Sequence, residues 1–268
     1  MFKKMSGLIK RFRFFYLFII AVGVFAALSG CGIAQVSKKD QLKSNLYYGL
    51  GAGFYRNGNF VKSMQEFIRA KALNPNSAKN YNAIGMVYME TDRENKAILN
   101  FKKAIKINPR FSDSYYNLAI IYIKKKNYKQ AKIYLKKALK NPFYNRPFES
   151  YTELGKIYIA EKKFKKAKKI LTISKLMDKR YFLTYYYLGN YYLAKGKLDE
   201  SMNNFRKVLS LNAFFVPARY KEGVVYFKQK KYDKAKKIFI SVYNENKLGK
   251  YGIKSFDYLK KIILYPNK

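Results

Sequence analysis

Apolar and small residues recur along the chain with a period of 34. Tyr-x-x-Leu-Gly-x-x-Phe at 47–54 returns as Tyr-x-x-Ile-Gly-x-x-Tyr at 81–88 and as Tyr-x-x-Leu-Ala-x-x-Tyr at 115–122. Two further copies sit at Tyr151-Leu154-Gly155-Tyr158 and Tyr185-Leu188-Gly189-Tyr192, and a weaker sixth at Tyr220-Gly223-Tyr226. Downstream of each lies a second apolar pattern: Ser63-Phe67-Ala70, Ala97-Phe101-Ala104, Ala131-Leu135-Ala138, Ala167-Leu171-Ser174, Ser201-Phe205-Val208 and Ala235-Phe239-Val242. Spacings of three, four and seven put each set on one stripe of a helix. The chain is therefore expected to be all-α, built from helix pairs.

Short breakers such as Arg56-Asn57-Gly58-Asn59 and Ala194-Lys195-Gly196 divide the helices of a pair. Pro75 and Pro109 close the first two units, with Pro142 one position early, because proline cannot continue a helix. Small residues at Gly51, Gly85, Ala119, Gly155 and Gly189 let the second helix approach closely. Tyr88, Tyr122, Tyr158 and Tyr192 fill the space between adjacent pairs. Extra residues around Asn141–Pro147 shift the fourth unit by two positions. Phe256, Leu259, Ile262 and Ile263 mark a last helix over Ile253–Leu264 that caps the final pair.

These six copies resemble the tetratricopeptide repeat over roughly residues 44–249. The resemblance implies a right-handed superhelical solenoid with units at 44–77, 78–111, 112–145, 148–181, 182–215 and 216–249, then a capping segment at 250–268. It also implies a concave face lined by positions 2, 5, 9, 12 and 13 of each unit. Mapped by phase, these include Tyr48, Tyr55 and Arg56 in the first unit and Asn82, Met86 and Met89 in the second. The third offers Tyr116, Ile120, Ile123 and Lys124, and the fourth Thr152, Lys156 and Ile159. The fifth and sixth offer Tyr186, Asn190, Tyr220, Val224 and Phe227. Most are apolar or aromatic. They either line an open groove for an amphipathic helix or extended peptide, or are shielded by flanking helices; the groove is the favoured reading. Asn82 and Asn117 lack matching basic residues in the first and third units, which argues against a clamp on a carboxylate tail.

The amino-terminal segment has a different pattern. Lys3, Lys4, Lys10, Arg11 and Arg13 precede an uncharged, mostly apolar run from Phe14 to Leu28. At 15 residues the run suits a signal h-region better than a membrane span of about 20. It ends Leu28-Ser29-Gly30-Cys31, which resembles the lipobox of bacterial lipoproteins. The resemblance implies removal of residues 1–30 and attachment of acyl chains, such as palmitate, at Cys31. Two or more chains suffice for stable anchoring. Gly32 in place of Asp points to the outer membrane, periplasmic face. Residues 31–43 are expected to be a lipidated tether; twelve extended residues reach at most about 40 Å.

Charge and composition narrow the function. The chain has 56 basic residues against 16 acidic, a formal +40. Ten are Arg and 46 Lys, so the surplus favours general attraction to anionic surfaces over base readout. It reflects either compositional drift or a selected role, and nucleic acid is not the expected partner. Removing residues 1–30 takes five basic residues and no acid, leaving 51 against 16, or +35. One cysteine excludes an intrachain disulfide, and the absence of histidine removes the commonest general base and a favoured metal ligand. Glu149 and Glu153 lie four apart on one helix and read as ordinary surface charge. No enzyme, cofactor or metal site is expected.

A lipobox followed by six such repeats resembles the type IV pilus pilotins, lipoproteins that bring the secretin to the outer membrane. Ala138-Leu139-Lys140-Asn141-Pro142-Phe143-Tyr144, with Pro147 and Leu154-Gly155 after it, adds to that resemblance. The implied function is an adaptor that captures a secretin subunit in its groove while acyl chains hold it at the membrane. A general envelope scaffold for enzymes such as peptidoglycan hydrolases, and a basic polyanion-binding surface protein, are the alternatives.

Overall fold

The computed structural model describes residues 36–264. Cys31, the signal segment 1–30 and the last four residues lie outside them. The described residues form thirteen α-helices and no strands. They divide into two compact units, one up to Pro75 and one from Asn76 onward.

In the first unit, α1 (Lys38–Arg56) packs on α2 (Phe60–Leu73). Residues 38–43, assigned above to a tether, are instead the first turns of α1. Ser37 accepts a bond from the Asp40 amide at 3.0 Å and donates to its carboxylate at 2.7 Å, so the helix has an N-cap that weak periodicity did not reveal. The Ser44 hydroxyl donates to the Ala70 carbonyl at 2.8 Å, and Ser63 to the Gly51 carbonyl at 2.9 Å.

The second unit contains five more pairs. They are α3 (Ala78–Glu90) with α4 (Glu94–Ile107), α5 (Ser112–Lys124) with α6 (Tyr128–Ala138), and α7 (Pro147–Ala160) with α8 (Phe164–Met177). Then come α9 (Phe182–Ala194) with α10 (Leu198–Leu211), and α11 (Val216–Lys228) with α12 (Tyr232–Glu245). A final helix, α13 (Lys250–Leu264), packs on α12 and touches α11.

One steric device repeats within every pair. A Cβ added at Gly51, Gly85, Gly189 or Gly223 would sit 2.6–2.8 Å from the ring of Phe67, Phe101, Phe205 or Phe239, sixteen residues later. At Gly155 the contact is Leu171. In the third pair the small residue is Ala119 and the large one Leu135, both fully buried. The missing side chain is what lets the large one fill the space between the helices.

The turn inside each pair is also repeated. Gly58, Asp92, Lys126, Lys162, Gly196 and Lys230 have positive φ, from 53° to 73°. They are 34 residues apart, except for 36 between Lys126 and Lys162, where the inserted residues fall. The next residue's N–H donates back to the carbonyl of Phe54, Tyr88, Tyr122, Tyr158, Tyr192 or Tyr226 at 2.8–3.0 Å. Each first helix thus ends in the same left-handed cap.

Between pairs, the core of the second unit is a chain of neighbour interfaces. Phe101 of α4 meets Leu118 and Ile121 of α5; Leu135 of α6 meets Leu154 and Ile157 of α7; Phe205 of α10 meets Ala218 and Val225 of α11. Each interface draws on adjacent pairs, as a stacked array requires. The insertion before α7 is tied down by side chains. Asn141 donates to the Arg110 carbonyl at 2.9 Å, and Arg146 bridges Asp113 at 2.9 Å and Glu149 at 3.3 Å. Tyr144 is buried and Phe143 is exposed.

Candidate functional site

The first helices of successive pairs in the second unit lie against one another, α3 on α5 and α7 on α9. Their shared face bears the site. Between α7, α9, α11 and α13 lies a cavity of about 850 Å³, within the ~300–1,000 Å³ range of ligand pockets. Lys156 and Ile159 of α7, Tyr186, Tyr187 and Asn190 of α9, Tyr220 and Lys221 of α11, and Tyr251 and Lys254 of α13 line it.

Five of the groove residues expected from the sequence, Lys156, Ile159, Tyr186, Asn190 and Tyr220, meet in this cavity. The others are placed differently. Asn82 is buried; its carbonyl oxygen accepts from Ser114 at 2.9 Å and from Asn117 at 3.0 Å. It therefore joins α3 to α5 and offers no surface. Ile123 is buried among Leu135, Leu154 and Ile157, with Tyr116 and Ile120 packed against that cluster. Met86 and Met89 are half-buried against Phe101, Leu118 and Ile121. Phe227 packs under α13, 5.0 Å from the Tyr258 ring centroid. In the first unit, Tyr48 rests on Phe67 and Tyr55 on Phe60. Periodicity gives the side of a helix a residue occupies, while the approach of the next helix decides whether that side is open.

Thr152 is another structural residue. Its hydroxyl, that of Ser174 and that of Thr184 lie 2.8–2.9 Å from one another, and Ser174 also donates to the Phe148 carbonyl at 2.8 Å. This buried triad fixes α7, α8 and α9 together. The same repeat phase that selects Tyr186 and Asn190 also selects Leu183, Leu193, Pro217 and Lys228, all of which line the cavity. Lys250, Tyr251 and Lys254 belong to α13, outside the repeat, and phase could not have found them.

The electrostatics are uneven along this face. On α7, Glu153 is buried and paired with Lys156 at 2.9 Å. Burial pushes the Glu149 carboxyl above its ordinary value, against the pull of Arg146. Neither glutamate is the free surface charge the sequence suggested. Burial, and then Glu153, raise the Tyr116 and Tyr187 phenols. Burial also raises Tyr186 and pushes Tyr220 up to about 12. The Tyr186, Tyr187 and Tyr220 phenols line the cavity and are protonated at neutral pH. Further along, Lys221 is pushed down by burial and by the neighbouring Lys254 ammonium. Such a face offers apolar contact area, phenol hydrogen bonds and ammonium groups.

Tetratricopeptide-repeat models match residues 78–111, 148–172 and 183–215, with a second such model over 100–133 and a third over 217–246. Among solved structures, the chain is similar to PilW, a widely conserved type IV pilus biogenesis factor. Identity is 16%, the TM-score is 0.69, and the match covers 80% of this chain and 98% of that one. It is similar to pilF of Pseudomonas aeruginosa at 15% identity and TM-score 0.70, covering 81% and 98%. The hetero-tetramer Cut9–Hcn1 of the APC/C matches at 15% identity and TM-score 0.74, over 81% of this chain and 42% of that one. At such identities the likeness concerns the fold. No curated protein sequence matches the chain.

Proposed function

Because this chain belongs to the tetratricopeptide-repeat family, whose models together take in residues 78–133, 148–172, 183–215 and 217–246, we propose that it is a lipid-anchored adaptor of type IV pilus biogenesis. Its repeat face captures an outer-membrane secretin subunit. Acyl chains on Cys31 hold the pair at the periplasmic side of the outer membrane and promote assembly of the ring. Confinement to a surface raises the local subunit concentration, which favours a multi-subunit product.

The observation that carries this reading is the aromatic-walled cavity on the face of the first helices. Correspondence over nearly the full length of PilW and pilF is in keeping with the pilus reading. The lipobox at Leu28–Cys31 supports the anchor.

Two variants test it in the source bacterium. Ile159→Asp puts a charge in the cavity wall and is expected to abolish co-purification of the secretin subunit while helicity is retained. Cys31→Ser is expected to leave capture intact and to move the secretin out of the outer-membrane fraction. Assembled secretin in the outer membrane of both variants would overturn the proposal. Intact piliation with altered cell-wall turnover on deletion would instead assign the adaptor to peptidoglycan enzymes.

A further inference from the structure

Most buried or half-buried cations in the second unit have an anion. Lys156 has Glu153, Lys132 has Glu161, and Arg219 has Glu245 at 2.8 Å. The cavity between α7, α9, α11 and α13 breaks this pattern. Half-buried Lys221 lines it together with the exposed Lys228, Lys250 and Lys254, and none of the four makes an ion pair among the described residues. Lys221 is only partly exposed and faces Lys254, a like charge. An ammonium withdrawn from water beside another ammonium costs free energy that a carboxylate would offset. Apolar and aromatic surface surrounds the four, with Tyr187 and Phe215 on the wall.

We propose that this cavity is a docking site for an acidic segment of a partner protein, one that carries aspartate or glutamate beside an apolar or aromatic side chain. The inference rests on the reading of the repeat face as a protein-binding surface and specifies what that face selects. The carboxylates lie between Lys221 and Lys254, and the neighbouring apolar side chain rests on the aromatic wall. Charge complementarity excludes the chain's own undescribed segments. Residues 1–35 hold five basic residues and no acidic side chain, and residues 265–268 hold Lys268 and no acidic side chain. A second copy, with 56 basic residues against 16 acidic, repels the site as well. Five lysines in one concavity, four of them without an ion pair, and no arginine among its lining residues, suit isolated carboxylates better than a phosphate backbone, where extended basic surfaces and bidentate forks are the rule.

The test is fluorescence anisotropy of dye-labelled ten-residue peptides with the full chain in detergent micelles. One peptide alternates Asp and Glu with Phe and Leu; its twin has Asn and Gln in place of the acids. The acidic peptide is expected to bind at least about tenfold more tightly. Lys221→Met with Lys254→Met is expected to remove that preference without lowering the melting temperature, because Met keeps the apolar stem. Lys166→Met with Lys236→Met, on exposed second-helix positions, is expected to change nothing. Equal binding of the two peptides, or an unchanged preference in Lys221→Met/Lys254→Met, overturns the proposal. So does an equal loss in the Lys166/Lys236 pair, or displacement of the acidic peptide by duplex DNA or phosphatidylglycerol vesicles at matched charge. If both peptides bind equally and Ile159→Asp abolishes both, the protein-binding face stands and its selection for acid fails.

Discussion

Four side chains other than glycine occupy the left-handed turn position: Asp92, Lys126, Lys162 and Lys230, at φ 53–59°. An L-residue there is strained by roughly 1–2 kcal/mol, and glycine gives part of that back as unfolded-state entropy. Lys162→Gly is therefore expected to raise stability by about 0.5–1 kcal/mol, and Gly196→Lys to lower it by a similar amount, as read by urea denaturation. Close approach makes the opposite case. Gly189→Ala places a Cβ 2.6 Å from the fully buried Phe205 ring and is expected to cost about 1–3 kcal/mol. Gly49, mid-helix with nothing within 4 Å, is expected to gain about 0.5–1 kcal/mol as Ala. The close-approach glycines were legible in the sequence, because they recur sixteen residues before a large apolar residue. The left-handed lysines were not, because no glycine marks them.

At the scale of the element, the insertion before α7 does more than change the phase. It carries Arg146, and α7 carries Glu149, whose carboxyl burial raises from 4.5. A carboxyl raised in the folded state favours folding while protonated, and that contribution is lost as pH rises through its folded value. The difference in stability between the wild type and Glu149→Gln should therefore change with pH, over a window that begins near 4.5 and extends upward. Glutamine is expected to gain on the wild type as pH rises, measured by melting temperature in matched buffers. A difference that stays constant from pH 4 to 7 would contradict this. The repeat period was enough to expect paired helices, which the described residues form. It missed the start of α1, which depends on the single Ser37 cap, and read Glu149 and Glu153 as exposed, since the neighbouring helices that bury them are remote in sequence.

For the second unit as a whole, α13 is both cap and wall. Tyr258 stacks on Phe239 at 4.7 Å, and Ile262 is buried with Val224 and Val242. Deleting residues 250–268 exposes that surface. With Tyr258, Leu259 and Ile262 at about 1.5–3 kcal/mol each, the loss is expected to be on the order of 5 kcal/mol, seen as a lower melting temperature. The sequence indicated a capping helix through Phe256, Leu259 and Ile262. It could not indicate that Lys250, Tyr251 and Lys254 complete the cavity, which depends on how α13 crosses α11.

The proposed function requires a protein segment seated on the face of the first helices. A photo-crosslinking amino acid at Asn190, in the cavity, and in a separate strain at the exposed Lys237 of α12, reads this directly in cells. The expected result is a covalent adduct to the secretin subunit from position 190 and none from position 237. Adducts from position 237 alone, or no protein adduct from position 190, would contradict it.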